Sequence, residues 1–464
     1  MMFDQKYWKY FKIPGSIWII SFMLLNIIFR GGAGTNELSR YATLRAMSEE
    51  FTFKIDKYVD WTIDWSQTRD GSYYSNKAPG PMFLSFPIFF VMDHISKFDK
   101  KYSSSSPPGP TTRAIVVLVT QIIPFALLAL LIAIYLKKIN VPIAGIHFAM
   151  LAILYGNTAS FFINTLFGHA SSAGFLLAAY LYLLKKNYKA VGFTYGMALL
   201  SEYTAALILP ILVITIAIEN KKKFSWIKDT IVGGSFPGIL WCWYHISTCG
   251  SPFIIPAQFQ NPIWQDFSPK SHLFLGMFSI DLQWNILQEL VVGNMRGLLF
   301  TQPWLLLAAI IAPIVLYRNR FSKINLGIFY FFALSGIITL LLMNSSFNGW
   351  HGGHTSGPRY LSMMLPIWGF FVGICYKYLN KWERLLIWAS LVPSILLRAL
   401  VLGSTIMAHE KPLWPFLWQF MQGQPEGKGY WRMGIFIFFI LVGAILSYLT
   451  YIKSNSRVLK DISI

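Results

Sequence analysis

The chain has 464 residues, 55% of them hydrophobic and 17% aromatic, and only 13% charged. With a mean hydropathy of +0.49, that lies outside the usual soluble range and points to a membrane protein with several spans. The net charge of +19 would suggest nucleic acid in a soluble chain. Here the lysines and arginines sit mostly in short loops between apolar runs, where the positive-inside rule accounts for them, so no nucleic-acid partner is expected.

The amino terminus carries Lys6, Lys9 and Lys12 and reads as cytoplasmic. The first apolar run, near Ile13 to Phe29, has this basic flank but no small-residue cleavage site, and so reads as a retained helix. The polar and aromatic stretch from Gly31 to Pro81 follows. It contains Glu37, Arg40, Asp60, Asp64, Asp70 and Lys77. Met82 to Met92 is apolar but short and holds Pro87, a length more typical of an interfacial or re-entrant segment than of a span. Sidedness supports this reading. If that segment stays in the outer interface, Lys137–Lys138, Lys185–Lys186, Lys221 to Lys223, Arg318–Arg320, Lys377–Lys381 and Lys453–Arg457 all fall on the cytoplasmic side. Lys97, Lys100, Lys101 and Arg113 are then the exceptions.

Further helices are expected at 112–136, 142–160 and 170–184. The stretch 190–218, flanked by lysines at both ends, should be two short helices turning near Ser201-Glu202-Tyr203. The remaining helices are expected at 229–247, 301–317, 324–343, 359–376, 384–402 and 432–452. The expected architecture is one all-α polytopic domain, 1–464, with about twelve crossings and both termini inside. Its outer loops are 31–111, which carries juxtamembrane helices, 248–300, 344–358 and 403–431. The three cysteines, Cys242, Cys249 and Cys375, lack metal-ligand spacing and are expected to be unpaired, although Cys242 and Cys249 could meet across one helix end.

The residues able to carry chemistry collect in the outer loops. Glu37 and Arg40, three apart, share a face if a helix starts there. An acid there could deprotonate a hydroxyl, and the arginine could hold a phosphate, although a plain ion pair and helix cap fits the spacing as well. Asp60, Asp64 and Asp70 lie among Trp61, Trp65, Tyr73 and Tyr74. Rings of this kind stack on sugars, while the carboxylates could bind sugar hydroxyls or a divalent metal, or merely be solvated beside an aromatic belt. Lys77, before Ala78-Pro79-Gly80-Pro81, sits at the start of a helix, where an anion would be favoured; a lysine snorkelling to headgroups is the equal alternative. His169 and Glu202 each fall near an outer helix end. In Asn348 to Tyr360, the pair His351 and His354 lacks a third ligand for a metal, and Arg359 is a second candidate phosphate clamp.

Three motifs together resemble a known superfamily: Asn36-Glu37-x-x-Arg40-Tyr41, then Tyr73-Tyr74-Ser75-x-Lys77-x-Pro79, then Gly357-Pro358-Arg359-Tyr360. They are similar to the GT-C glycosyltransferases, membrane enzymes that take a sugar from a polyprenyl-phosphate donor. The nearest groups are the dolichyl-phosphate-mannose protein mannosyltransferase-like family and the aminoarabinose transferases of lipid A. The resemblance covers the chain to about residue 218, and 348–366. It implies an inverting transfer of one sugar to a hydroxyl of a lipid, glycan or protein acceptor at the extracytoplasmic face of the cytoplasmic membrane. It implies Glu37 as the catalytic carboxylate, with Asp64 or Asp70 in reserve because Asn36 replaces the first acid of the family's pair. Lys77, Arg40 and Arg359 would bind the donor phosphate. Asn36, Tyr41, Tyr74, His169, Glu202, His351, His354 and Tyr360 would line the substrate site. No metal site carries over. The competing classes are a transporter or flippase of lipid-linked solutes, and a glycan polymerase or ligase using a diphosphate-linked donor.

Overall fold

The structure, a computed structural model, describes residues 13–29, 34–94, 106–220, 224–264, 273–274, 278–279, 282–319, 326–353, 355–404 and 411–462. For 273–274, 278 and 449–462 it gives the backbone alone. The stretches 30–33, 221–223 and 405–410, as well as Lys6, Lys9, Lys12, Lys97, Lys100, Lys101, Arg320 and His354, lie outside the described residues.

The chain is almost entirely α-helical, with two short antiparallel hairpins in its polar loops. Among the described residues, five helices are long and apolar enough to cross a membrane: Pro110–Lys138, Tyr203–Asn220, Leu326–Ser346, Lys381–Ser404 and Pro425–Tyr448. Shorter apolar helices, Ser16–Ile28, Ile143–Leu154, Gly168–Leu184 and Pro303–Arg318, accompany them. Large apolar side chains such as Ile239, Ile310, Ile314, Phe438, Leu441 and Ile445 point outward. An apolar rim of that extent would drive a soluble protein to aggregate, and is the natural surface of a multi-pass membrane protein.

At one crossing in the core, small residues let two helices approach closely. A Cβ built on Gly373 would fall 2.7 Å from the Cβ of Ala149, and one on Gly369 3.1 Å from that of Ala152. Helices Ile143–Leu154 and Leu365–Cys375 thus touch backbone to backbone, the packing expected where lipid removes any hydrophobic drive between helices. In Pro110–Lys138 the first turns are α-helical and Leu118–Ile122 is a π-turn. Pro124, near the start of the regular helix that follows, lacks an N–H and crowds the preceding carbonyl, which displaces the ladder by one residue there. The bulge turns buried Gln121 toward Ser171, with which it exchanges two hydrogen bonds of 2.7 and 2.9 Å.

The expected break in 190–218 lies at Glu202. Helix Tyr188–Ser201 ends there, Glu202 is extended (φ −153°, ψ 119°), and a 3-10 turn leads into helix Leu209–Asn220. The segment after Lys77 is the helix Gly80–His94 of 15 residues, about 5 residues short of the ~20 that a bilayer needs. Several boundaries differ from expectation by a few residues, and the helix expected at 432–452 runs over Lys428–Ile462. The helix expected at 142–160 stops at Leu154, because Asn157 turns its amide back onto the carbonyls of Ala152 and Ile153. The helix expected at 359–376 begins as a 3-10 turn, Arg359–Leu361, and becomes α-helical only at Leu365.

The polar stretch between helices Ser16–Ile28 and Pro110–Lys138 is densely built. Helix Thr35–Glu49 is polar in sequence, yet eleven of its residues, Glu37 and Ser39 to Ser48, are buried. The hairpin Trp65–Gln67 with Tyr73–Ser75 packs over it. The long loop 248–300 is stitched to this hairpin by Asn261, whose backbone N–H donates to the Trp65 carbonyl and whose amide donates to the Ile63 carbonyl. All three cysteines are unpaired, as expected.

Candidate active site

Helix Thr35–Glu49, the hairpin, the Glu202 break and the loop before Arg359 together enclose a cavity of about 1400 Å³. Local backbone needs place its acids and cations. Glu37 is the third residue of its helix and reaches back to the Gly34 N–H at 3.3 Å, the carboxylate half of a capping box, since a glycine N-cap has no side chain to return the bond. Its other oxygen accepts from the Leu166 N–H at 2.9 Å. One carboxylate therefore ties helix Thr35–Glu49 to the start of helix Gly168–Leu184. Burial pushes the Glu37 carboxyl up to about 7, against the pull of these two N–H groups and the charges of Arg113 and Arg40.

One turn on, Arg40 donates to both the backbone carbonyl and the side-chain oxygen of Asn36. It runs alongside Gly168: a Cβ there would sit 3.1 Å from both Arg40 Nη2 and Glu202 Oε2, and only 2.0 Å from the Ser201 carbonyl. No residue larger than glycine fits at that crossing. Glu202, freed from helical geometry by the break, lies with one oxygen 3.0 Å from His169 Nδ1.

Lys77 follows the hairpin. Its ammonium is 3.2 Å from Asp64 Oδ1, and Asp64 in turn accepts from the Thr35 hydroxyl at 3.2 Å. Burial lowers the Lys77 ammonium's pKa, which Asp64 partly restores. Ser39 fixes this strand, donating to the Asp64 carbonyl at 2.6 Å and meeting the Ser75 hydroxyl at 2.6 Å. From the far side of the sequence, the Arg359 guanidinium lies 4.9 Å from the Tyr360 ring centroid and donates to its hydroxyl at 2.8 Å. Gly352, at φ +68°, lets the loop pass under it: a Cβ there would stand 3.0 Å from the Arg359 side chain.

The cavity brings together Asn36, Glu37, Arg40, Asp64, Lys77 and His169, and from later in the chain Glu202, His351, Arg359 and Tyr360. Four sequence candidates stand elsewhere. Asp70 is at the exposed hairpin turn, bound to Lys54 at 3.2 Å and to the Thr68 hydroxyl at 2.7 Å, which holds its carboxyl low. That turn needs an Asx-type side chain beside Gly71, so the residue serves the turn. Asp60 is exposed at the end of a 3-10 turn. Tyr74 is buried under the hairpin with its hydroxyl 3.3 Å from Asp70 Oδ2. Tyr41 is buried behind the cavity, its hydroxyl 3.5 Å from the Arg113 carbonyl.

Sequence reasoning missed three arginines. Arg296, buried, donates to the Gly353 carbonyl and to the carbonyl and hydroxyl of Thr355 at 2.8–2.9 Å, and so holds the loop that presents Arg359. Nothing in its local sequence marks it. Arg398 and Arg432 also line the cavity. Arg398 interrupts the apolar run 384–402, a signal that could have been read. Among the described residues no three His, Cys, Asp or Glu side chains converge as metal ligands.

Fold and site define the class: an all-helical, multi-pass membrane protein with a buried ionic chamber among its polar loops. No protein-family model matches the chain, and no curated protein does either. Among solved structures, the chain is similar to ArnT from Cupriavidus metallidurans bound to undecaprenyl phosphate, at 14% identity and a TM-score of 0.48, over 97% of this chain and 78% of that one. It is similar also to the apo state of the same protein, at 15% identity and a TM-score of 0.46, over 94% and 75% of the two chains.

Proposed function

We infer that the protein is an inverting GT-C glycosyltransferase, which moves one sugar from a polyprenyl-phosphate carrier to a hydroxyl at the outer face of the membrane. The observation that carries this reading is the meeting of Glu37, Lys77, Arg40 and Arg359 in one cavity, from three motifs far apart in the chain that resemble those of the superfamily.

The geometry suits the reaction. The acceptor oxygen bonds to the anomeric carbon while its proton passes to Glu37, and the carbon–oxygen bond to phosphate breaks. The leaving polyprenyl phosphate gains negative charge, which Lys77, Arg40 and Arg359 neutralise in a site screened from water. Glu37 fits the base: a carboxyl near 7 is ionised enough to accept a proton and basic enough to keep it. Asp64 fits a different task. Its ion pair with Lys77 at 3.2 Å favours the charged form of that buried amine and aims it until a phosphate arrives. His169 and Glu202, paired at 3.0 Å, line the same space and keep hydrogen-bonding capacity toward sugar hydroxyls. Tails of the carrier would lie along the apolar part of the lining, Leu207, Leu342 and Met343.

The test is a strain lacking the protein, examined by mass spectrometry of envelope glycolipids and glycoproteins. The expected result is one class of molecule lighter by one monosaccharide, restored by the wild-type gene and not by Glu37→Gln. An unchanged set of glycans, or loss of an entire oligosaccharide, would overturn single-sugar transfer.

A further inference from the structure

The chamber holds a second set of cations, which the transfer reaction leaves unused. Arg398 lies within helix Lys381–Ser404 and is 3% exposed. Its guanidinium sits 5.4 Å from the Phe161 ring centroid and donates once, to Asn26 Oδ1 at 3.2 Å. Arg432 projects from helix Lys428–Ile462 and is half-buried. The two helices run antiparallel in close contact: a Cβ on Gly403 would stand 2.9 Å from the Gly429 carbonyl. That register sets Arg398 and Arg432 within about one helical turn of each other along the seam, and both line the cavity.

What separates this pair from the first cluster is its charge balance. Lys77 has Asp64 at 3.2 Å, and Arg40 and Arg359 each lie in the field of Glu202 and Asp64. Among the described residues no carboxylate forms an ion pair with Arg398 or Arg432. A buried guanidinium without a counter-ion is costly, and cations at membrane depth ordinarily pair or face a functional cavity. The guanidinium fork matches a phosphate oxygen pair. Phe161 covers the guanidinium, and the cavity lining includes the apolar Ile28, Phe29, Val401 and Leu402, which suits hydrocarbon alongside an anion.

We propose that Arg398 and Arg432 form a second phosphate subsite, distinct from the Lys77 site, that anchors a phosphate group of an amphiphilic acceptor while a hydroxyl of that acceptor meets the donor at Glu37. The acceptor role rests on the transferase reading above; the existence of a second anion site does not.

The test uses the full chain in phosphatidylcholine nanodiscs, with farnesyl phosphate as the carrier probe, dioctanoyl phosphatidic acid as the lipid-phosphate probe, and inorganic phosphate. Arg398→Gln and Arg432→Gln should each weaken phosphatidic acid binding roughly tenfold or more and leave farnesyl phosphate binding unchanged. Lys77→Ala should do the reverse. Competition by inorganic phosphate identifies a free anion as the ligand, whereas its failure to compete identifies a lipid headgroup. If Arg398→Gln does not fold, Arg432→Gln and Arg398→Lys decide the matter. Wild-type affinity for phosphatidic acid in both arginine variants, or loss of both probes in Lys77→Ala, would overturn the second site. Failure of farnesyl phosphate to bind anywhere, with phosphatidic acid still dependent on Arg398, would instead sink the donor reading and leave the subsite standing.

Discussion

At the scale of single residues, Glu37 shows how one carboxylate can serve structure and chemistry together. It caps its own helix with one oxygen and catches a distant N–H with the other, so replacement by Gln keeps an oxygen for one of the two contacts while removing the proton acceptor. Glu37→Gln is therefore expected to fold, to bind donor, and to lose roughly 10²–10⁴ in turnover; near-wild-type turnover would pass the base role to Asp64. The pH profile gives an independent check. Burial raises this carboxyl to about 7, and only its ionised form can take a proton. The rate should fall as pH drops through about 7, tenfold per unit below that. A profile flat to pH 5 would exclude Glu37 as base. Lys77→Ala should weaken donor binding about tenfold or more, the worth of a charge-assisted contact, as read by titration with farnesyl phosphate. The chemical candidates were legible as residues, since charge in an apolar chain is conspicuous. Their roles were not. Asp64 and Asp70 look alike in sequence, and only the fold shows that one faces Lys77 while the other closes a hairpin turn.

Elements carry the next level. The break at Glu202 was legible, because lysines at both ends of an apolar run require the chain to return to the side it left. The burial of helix Thr35–Glu49 was not, because its hydrophilic sequence resembles a surface helix and its packing depends on partners from the rest of the chain. The loop before Arg359 is likewise shaped from afar. Arg296 supplies three hydrogen bonds to it, and Arg296→Ala would strand the buried Thr355 carbonyl. That should loosen the loop by about 2–3 kcal/mol, seen as faster amide exchange over residues 349–358 and a raised donor KM. Gly168→Ala should be worse than its size suggests, since the added methyl would meet the Ser201 carbonyl at 2.0 Å. Overpacking of this kind costs about 1–3 kcal/mol, so a lower thermal midpoint and weakened activity are expected together; a wild-type midpoint would show that the Glu202 break yields easily.

For the whole molecule, hydropathy made the helical class and the long apolar helices visible, since length and apolar run are local properties. It did not reveal the small-residue contacts between helices, nor the hairpins and short helices inside the loops, which form only where other segments cover them. The orientation remains a reading of lysine placement, and it makes a clear prediction. In a cysteine-free background, Arg69→Cys in the exposed hairpin should react with a membrane-impermeant maleimide in intact cells, and Lys138→Cys should not. The opposite pattern would turn the chamber inward and remove the extracytoplasmic acceptor.

The dispersal of the chamber along the chain has a consequence for biosynthesis. Glu37 is fastened by Leu166, the hairpin by Asn261, and Arg359 by Arg296. While the ribosome is still feeding the early helices into the bilayer, the lysine after the hairpin has neither its roof nor its companion arginine. Nascent chains and fragments ending before the late helices should consequently be inert. Co-expressed halves should regain function only if they find each other after insertion.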